Sequence, residues 1–179
     1  GRSSPSRRSA AKPSTGKAPT ATPASPPGVH AIALAADDAK TYDPYRRPGA
    51  EFGPARNAVD GDPGSVWDVT TPADGEALRT GLVLDLGAAY ALDSLRVTTP
   101  TSGFDMELYG ARDKALPGDI LDKRWEHLTD VKTVGDGQTI ALKGRSSHRF
   151  RLVVLWFTKA ANVADPRVAI GNVSVRGGR

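Results

Sequence analysis

Tyr42, Tyr45, Arg46 and Arg47 lie close together in a polar, turn-rich stretch that runs from Asp37 to Pro54. Aromatic rings beside guanidinium groups are the usual chemistry of sugar recognition. A flat ring stacks on the C–H face of a pyranose, while planar donors and carboxylates bind its hydroxyls. Tyr42 and Phe52 also admit a plainer reading, as plugs that close the open end of a core, and for Tyr45 both readings stand. Asp68 and the loop from Thr71 to Thr80, which carries Arg79, are expected at the same end and complete the candidate ligand-binding set.

Other reactive groups are scattered. His30, His127 and His148 are far apart, and none sits in a metal-spaced motif. Ser147 and His148 are adjacent at the head of a predicted strand, where neighbours face opposite ways and cannot form a dyad. The chain has no cysteine, which excludes a disulfide scaffold, thiol catalysis and thiolate metal sites. A glycosidase needs two carboxylates across a cleft. Most acids here, such as Asp60, Asp62, Asp113 and Asp136, sit in turns where carboxylates cap backbone N–H groups. The expectation is a chain that is not an enzyme.

Positioning falls to strands. Gly81-Leu-Val-Leu-Asp-Leu-Gly87 is a short apolar run bounded by glycines and reads as a buried strand. Phe104, Met106 and Leu108 alternate with Asp105, Glu107 and Tyr109, a strand with one wet face. Further strands are expected over Val29–Ala36, around Leu95–Val97, through Trp125, Leu128 and Val131, and over Gln138–Leu142. Gly135-Asp136-Gly137 reads as a hairpin turn, and Gly171-Asn172 as a bulge inside the last strand. Arg149 to Phe157 is the strongest strand. Phe150, Leu152, Val154 and Trp156 share one of its faces, with Val153, Leu155 and Phe157 opposite. About eight short strands without an amphipathic helix predict an all-β, antiparallel β-sandwich of jelly-roll type.

The organising stretch is Asn57-Ala-Val-Asp60-Gly61-Asp62-Pro-Gly-Ser65-Val-Trp67, an acidic turn that delivers an indole to the core. Together with Val83-Leu-Asp85-Leu86-Gly87 and Ile170-Gly-Asn172-Val173-Ser-Val175, it resembles the discoidin, or coagulation factor 5/8 type C, domain, whose fold is galactose-binding-like. The resemblance covers roughly Ile32 to Val175. The lead-in Tyr42-Asp43-Pro44-Tyr45 is most similar to versions appended to actinobacterial membrane proteins, such as MviN-type peptidoglycan-precursor flippases and receptor-like kinases. The resemblance implies a carbohydrate-binding or cell-envelope-recognition module and, in many members, a structural calcium ion. Asp60, Asp62 and Ser65 would contribute to it, with Asn172 standing where the family has an acid. No other cofactor is implied.

Charge and composition divide the chain. Residues 1–28 hold six prolines among Ser, Thr and Ala and read as a disordered linker; 29–179 form the folded domain. Arg2, Arg7, Arg8, Lys12 and Lys17 lie in the linker without a carboxylate, so the domain itself is nearly neutral. A basic tail on a neutral domain is not a nucleic-acid reader. No apolar run is long enough to span a bilayer, and membrane attachment would need an anchor preceding these residues. The expected setting is extracytoplasmic, tethered to the cytoplasmic membrane, with a cell-wall glycan or envelope polymer as partner. The rival reading is a structural or protein-interaction module with no sugar ligand, which would use an exposed face of Val153, Leu155 and Phe157.

Overall fold

The acidic turn and the Trp67 that follows it set the centre of the fold. In the computed structural model, which describes residues 28–179, Asn57 Nδ2 donates to Val66 O at 3.0 Å and closes the loop. Trp67 is fully buried. It stacks on Phe157 at 5.4 Å and is covered on another side by the half-buried Phe52 at 6.5 Å. Its Nε1 donates to Thr41 Oγ1 at 2.9 Å, so the one polar atom of the indole is satisfied.

The strands are β1 (His30–Ala31), β2 (Ala39–Tyr42), β3 (Glu51–Phe52), β4 (Trp67–Thr70), β5 (Thr80–Thr98) and β6 (Asp105–Ala111). They continue with β7 (Glu126–Val131), β8 (Gln138–Ala141), β9 (Phe150–Lys159), β10 (Arg167–Ile170) and β11 (Asn172–Gly178). Pairing is antiparallel throughout. The first half of β5 lies between β2 and β9, and the order continues through β6 to β7. Its second half lies between β8 and β11, with β1 beyond. A smaller sheet has the order β10-β4-β3. This is an all-β sandwich of jelly-roll type.

Asp85-Leu86-Gly87 marks the corner where β5 passes from one set of partners to the other. Asp85 Oδ1 accepts from Gly87 N at 2.9 Å, Gly87 takes a φ of 82°, and the register with β9 shifts between Asp85 and Tyr90. Arg151 on β9 holds the Asp85 carboxylate from the neighbouring strand, with Nη2 to Oδ2 at 3.1 Å. The motif is therefore a bend with a locked acid.

The main core packs Leu82, Leu84, Met106, Leu108, Val153, Leu155 and Phe157 against Trp67, Val69, Val168 and Ile170, with Leu95, Val97, Val173 and Val175 in the same cluster. Val153, Leu155 and Phe157 are all 0% exposed, so the face expected to await a protein partner is the inner face of the sandwich. The opposite face of β9 is covered as well. Leu152, Val154 and Trp156 form a second cluster with Tyr42, Val83, Ala111, Ile120 and Trp125, supplied in part by the connection from 112 to 125 that folds back over the sheet.

Four further expectations change. The segment Val29–Ala36 is extended as a strand only at His30–Ala31, because its later residues lead into a 3-10 turn at Ala36–Asp38. The stretch read as irregular contains β2 and β3. Gly135-Asp136-Gly137 joins strands that do not pair with one another: β7 pairs with β6, β8 with β5. Gly171 is a corner between two sheets, since β10 pairs with β4 and β11 with β5. The segment read as a linker lies, apart from Gly28, outside the described residues.

Candidate functional site

Tyr42 at the end of β2 pairs with Gly81 at the start of β5, so the loops 43–50 and 71–79 emerge side by side at one end of the sandwich. Gly49 fixes their approach. It has a φ of 75°, and a Cβ there would lie 2.5 Å from the Pro72 ring. Arg47 then ties the loops together. Its guanidinium meets Asp74 in a two-pronged pair, Nη1–Oδ2 3.0 Å and Nη2–Oδ1 2.9 Å, and Nε donates to Ala77 O at 3.3 Å. Arg47 is buried, and its hydrogen bonds hold the Asp74 carboxyl below the ordinary range.

Tyr45 and Arg79 come together at this end. The Arg79 guanidinium carbon sits 4.6 Å from the centre of the Tyr45 ring, a cation–π arrangement. The Tyr45 hydroxyl donates to Asp119 on the 112–125 connection, and its ring meets Trp156 edge-on at 6.1 Å. Burial and the Asp119 carboxylate push the Tyr45 hydroxyl up to about 12, so it remains a donor at neutral pH. Asp119 in turn is held below the ordinary carboxylate range, first by that hydroxyl and then by the Leu121 amide. Arg46 and Arg79 are both exposed, with φ of 50° and 54°. Left-handed backbone at a residue with a Cβ is unfavourable, and such residues concentrate at functional sites.

The other candidates are employed elsewhere. Tyr42 is 3% exposed, donates to Pro117 O at 2.6 Å and accepts from Trp125 Nε1 at 3.1 Å; it is a core residue of the second cluster. Asp68 lies on β4 and accepts from Arg167 Nε on β10 at 3.0 Å. Asp119 was not singled out from sequence; it lies 74 positions from Tyr45 and looks like one more loop acid. The 71–79 loop also lines a hollow of about 310 Å³ with Leu78, Thr158, Lys159, Val163 and Pro166.

The calcium set implied by the resemblance lies within one self-capped turn. Asp60 accepts from Asp62 N at 2.9 Å and from the Ser65 hydroxyl, which together hold its carboxyl below the ordinary range. Asp62 accepts from Gly64 N at 2.8 Å. The turn caps itself, and among the described residues no third acid or histidine converges on it. Calcium wants six to eight oxygens.

Set beside known proteins, no family model and no curated protein matches the sequence. Solved structures do. One is the family 32 carbohydrate-binding module of Clostridium perfringens NanJ in complex with galactose, at 15% identity and a TM-score of 0.57, covering 83% of this chain and 98% of that one. The chain has the fold of these modules. A chitosan-binding module from the chitosanase/glucanase of Paenibacillus sp. IK-5 matches at 16% identity and a TM-score of 0.56, covering 83% and 99%. The family 89 glycoside hydrolase of Clostridium perfringens matches at 17% and 0.57, but this chain spans only 15% of its length. The galactose-binding-like fold expected from the acidic turn and the Asp-Leu-Gly corner is therefore present.

Proposed function

We propose that this chain is a non-catalytic carbohydrate-binding module whose site is the loop end built from Tyr45, Arg46, Arg79 and Asp119. The observation that carries the reading is the stacking of Arg79 on Tyr45 beside Asp119, on two loops that Arg47 and Gly49 lock together. One side of the Tyr45 ring is occupied by Arg79, so the surface offered there is the guanidinium plane. Its donors and the Asp119 acceptor suit vicinal hydroxyls of a sugar. The known modules that share the fold, bound to galactose or named for chitosan, support the ligand class.

The finer reading is a cell-wall or envelope glycan as target, recognised on the extracytoplasmic side by a module attached to a membrane-anchored protein. The Pro/Ser/Thr/Ala-rich segment 1–28 with its five basic residues supports a spacer near an anionic surface. Among the described residues no helix is long and apolar enough to cross a membrane.

Co-sedimentation of the full chain with purified cell-wall polymer tests this. Binding is expected to persist at high salt and after Arg2, Arg7, Arg8, Lys12 and Lys17 are replaced by Ser, and to weaken about tenfold in Arg79→Ala, the loss of one charge-assisted contact. Retention that vanishes with salt or with the five replacements, and ignores Arg79→Ala, would reduce the interaction to tail electrostatics.

A further inference from the structure

On the outer face of the sheet, β6 and β7 bring three metal-ligating side chains to one point. Glu107 stands directly opposite Asp130, and Tyr109 directly opposite His127. Between these pairs the register shifts, so that Leu128 and Thr129 both stand against Leu108. The bulge matters. Residues three apart on a regular strand face opposite ways, whereas the extra residue turns His127 and Asp130 to the same side and sends Leu128 and Val131 inward. His127 Nε2 lies 2.8 Å from Asp130 Oδ1 and 4.0 Å from Glu107 Oε1, and one donor atom from each of the three lies within 4.8 Å of the others.

We propose that Glu107, His127 and Asp130 form a surface site for a divalent cation of the zinc class. One imidazole nitrogen and two carboxylates suit a borderline metal better than calcium or magnesium, which prefer all-oxygen shells. Four-coordinate zinc places its ligand atoms about 3.3 Å apart, so small side-chain rotations close the set and leave the fourth position to water. Two features support it. Glu107 and Asp130 are like charges directly opposite on neighbouring strands, a repulsive arrangement that a cation between them reverses. Tyr109 holds the set in place, its hydroxyl donating to Glu107 Oε1 at 3.1 Å and its ring meeting the imidazole edge-on at 5.2 Å, as outer-shell partners of metal ligands do. Charged residues on an edge strand such as β7 also discourage pairing with other chains, but that role does not require three ligands to converge.

Calorimetric titration of the full chain with zinc chloride decides the matter, with calcium chloride as the comparison. The expected result is one saturable zinc equivalent whose affinity falls at least tenfold in His127→Gln and in Asp130→Asn. His148→Gln, which breaks the exposed pair of His148 with Glu126, should leave it unchanged. A thermal melt without metal confirms that each variant is folded. The proposal is overturned if the wild type shows no saturable zinc binding, if His127→Gln binds as well as the wild type, or if calcium occupies the same site equally tightly.

Discussion

Arg79 is the side chain on which the proposed site turns. Relaxing its left-handed backbone with glycine returns about 1 kcal/mol, while losing the cation–π contact at a half-exposed ring costs about 0.5–1 kcal/mol. The two nearly cancel. Arg79→Gly should therefore melt within a few degrees of the wild type, by differential scanning calorimetry, yet bind glycan about tenfold more weakly; a clear drop in melting temperature with binding intact would make Arg79 a structural residue. Two acids that hold the loops in place, Asp74 on Arg47 and Asp119 on Tyr45, set a pH dependence. Asp74 and Asp119 both titrate below the ordinary carboxylate value when folded. Their contribution is complete above that ordinary value of about 4 and is lost as pH falls through the depressed folded values. Sedimentation binding should thus be flat from neutrality to about pH 5 and decline only in stronger acid; a decline centred on neutral pH would point to another group. Trp67 was legible as core because an indole that follows a tight turn and precedes a strand must go inward. Tyr42 carried the same ambiguity as Tyr45, and only the distant Pro117 carbonyl and Trp125 indole decide that it is buried.

Elements show where local pattern ends and tertiary pairing takes over. The strands β6 and β9 were readable because each has a strong apolar run or alternation, whereas β5 reads as two strands because the corner at Asp85–Gly87 interrupts its pattern. β2 and β3 were not, since Ala39-Lys-Thr-Tyr42 and Glu51-Phe52 are short, polar and set among turns; what makes them strands is the neighbour each pairs with. The strand expected through Trp125, Leu128 and Val131 has its apolar residues three apart, which regular alternation does not allow, and the bulge at Leu128–Thr129 accounts for the last step. Both faces of the doubly apolar β9 are covered, the inner by the sandwich core and the outer by the connection after β6. Trp125, only 6% exposed and hydrogen-bonded to Tyr42, is its anchor. Trp125→Ala should cost about 3–5 kcal/mol, as large aromatic truncations do. It should also expose Leu152, Val154 and Trp156, read as increased binding of a hydrophobic dye; an unchanged melt would mean the connection contributes little to that face.

For the whole molecule, the separation of charge matters more than its sum. The net +4 arises from the basic segment before Val29, while the sandwich is close to neutral. Non-specific attraction to anionic polymers should therefore belong to the tail and be screened by salt, whereas a sugar held by fixed donors and acceptors should not be. Fold and charge layout were both evident in the sequence, the one through the acidic turn and the Asp-Leu-Gly corner, the other through composition. The convergence of Tyr45, Arg79 and Asp119 was not, because it depends on three loops meeting at one end of the sandwich. A glycan site at that end is best tested residue by residue. Isotope-labelled full chain should be titrated with soluble cell-wall glycan fragments, and separately with galactose, while backbone amide shifts are followed at low and high salt. Saturable shifts confined to residues 43–47, 74–79 and 119–121 and indifferent to salt are the predicted result. Shifts restricted to residues 1–28, or clustered on the Asp60–Val66 turn, would contradict it.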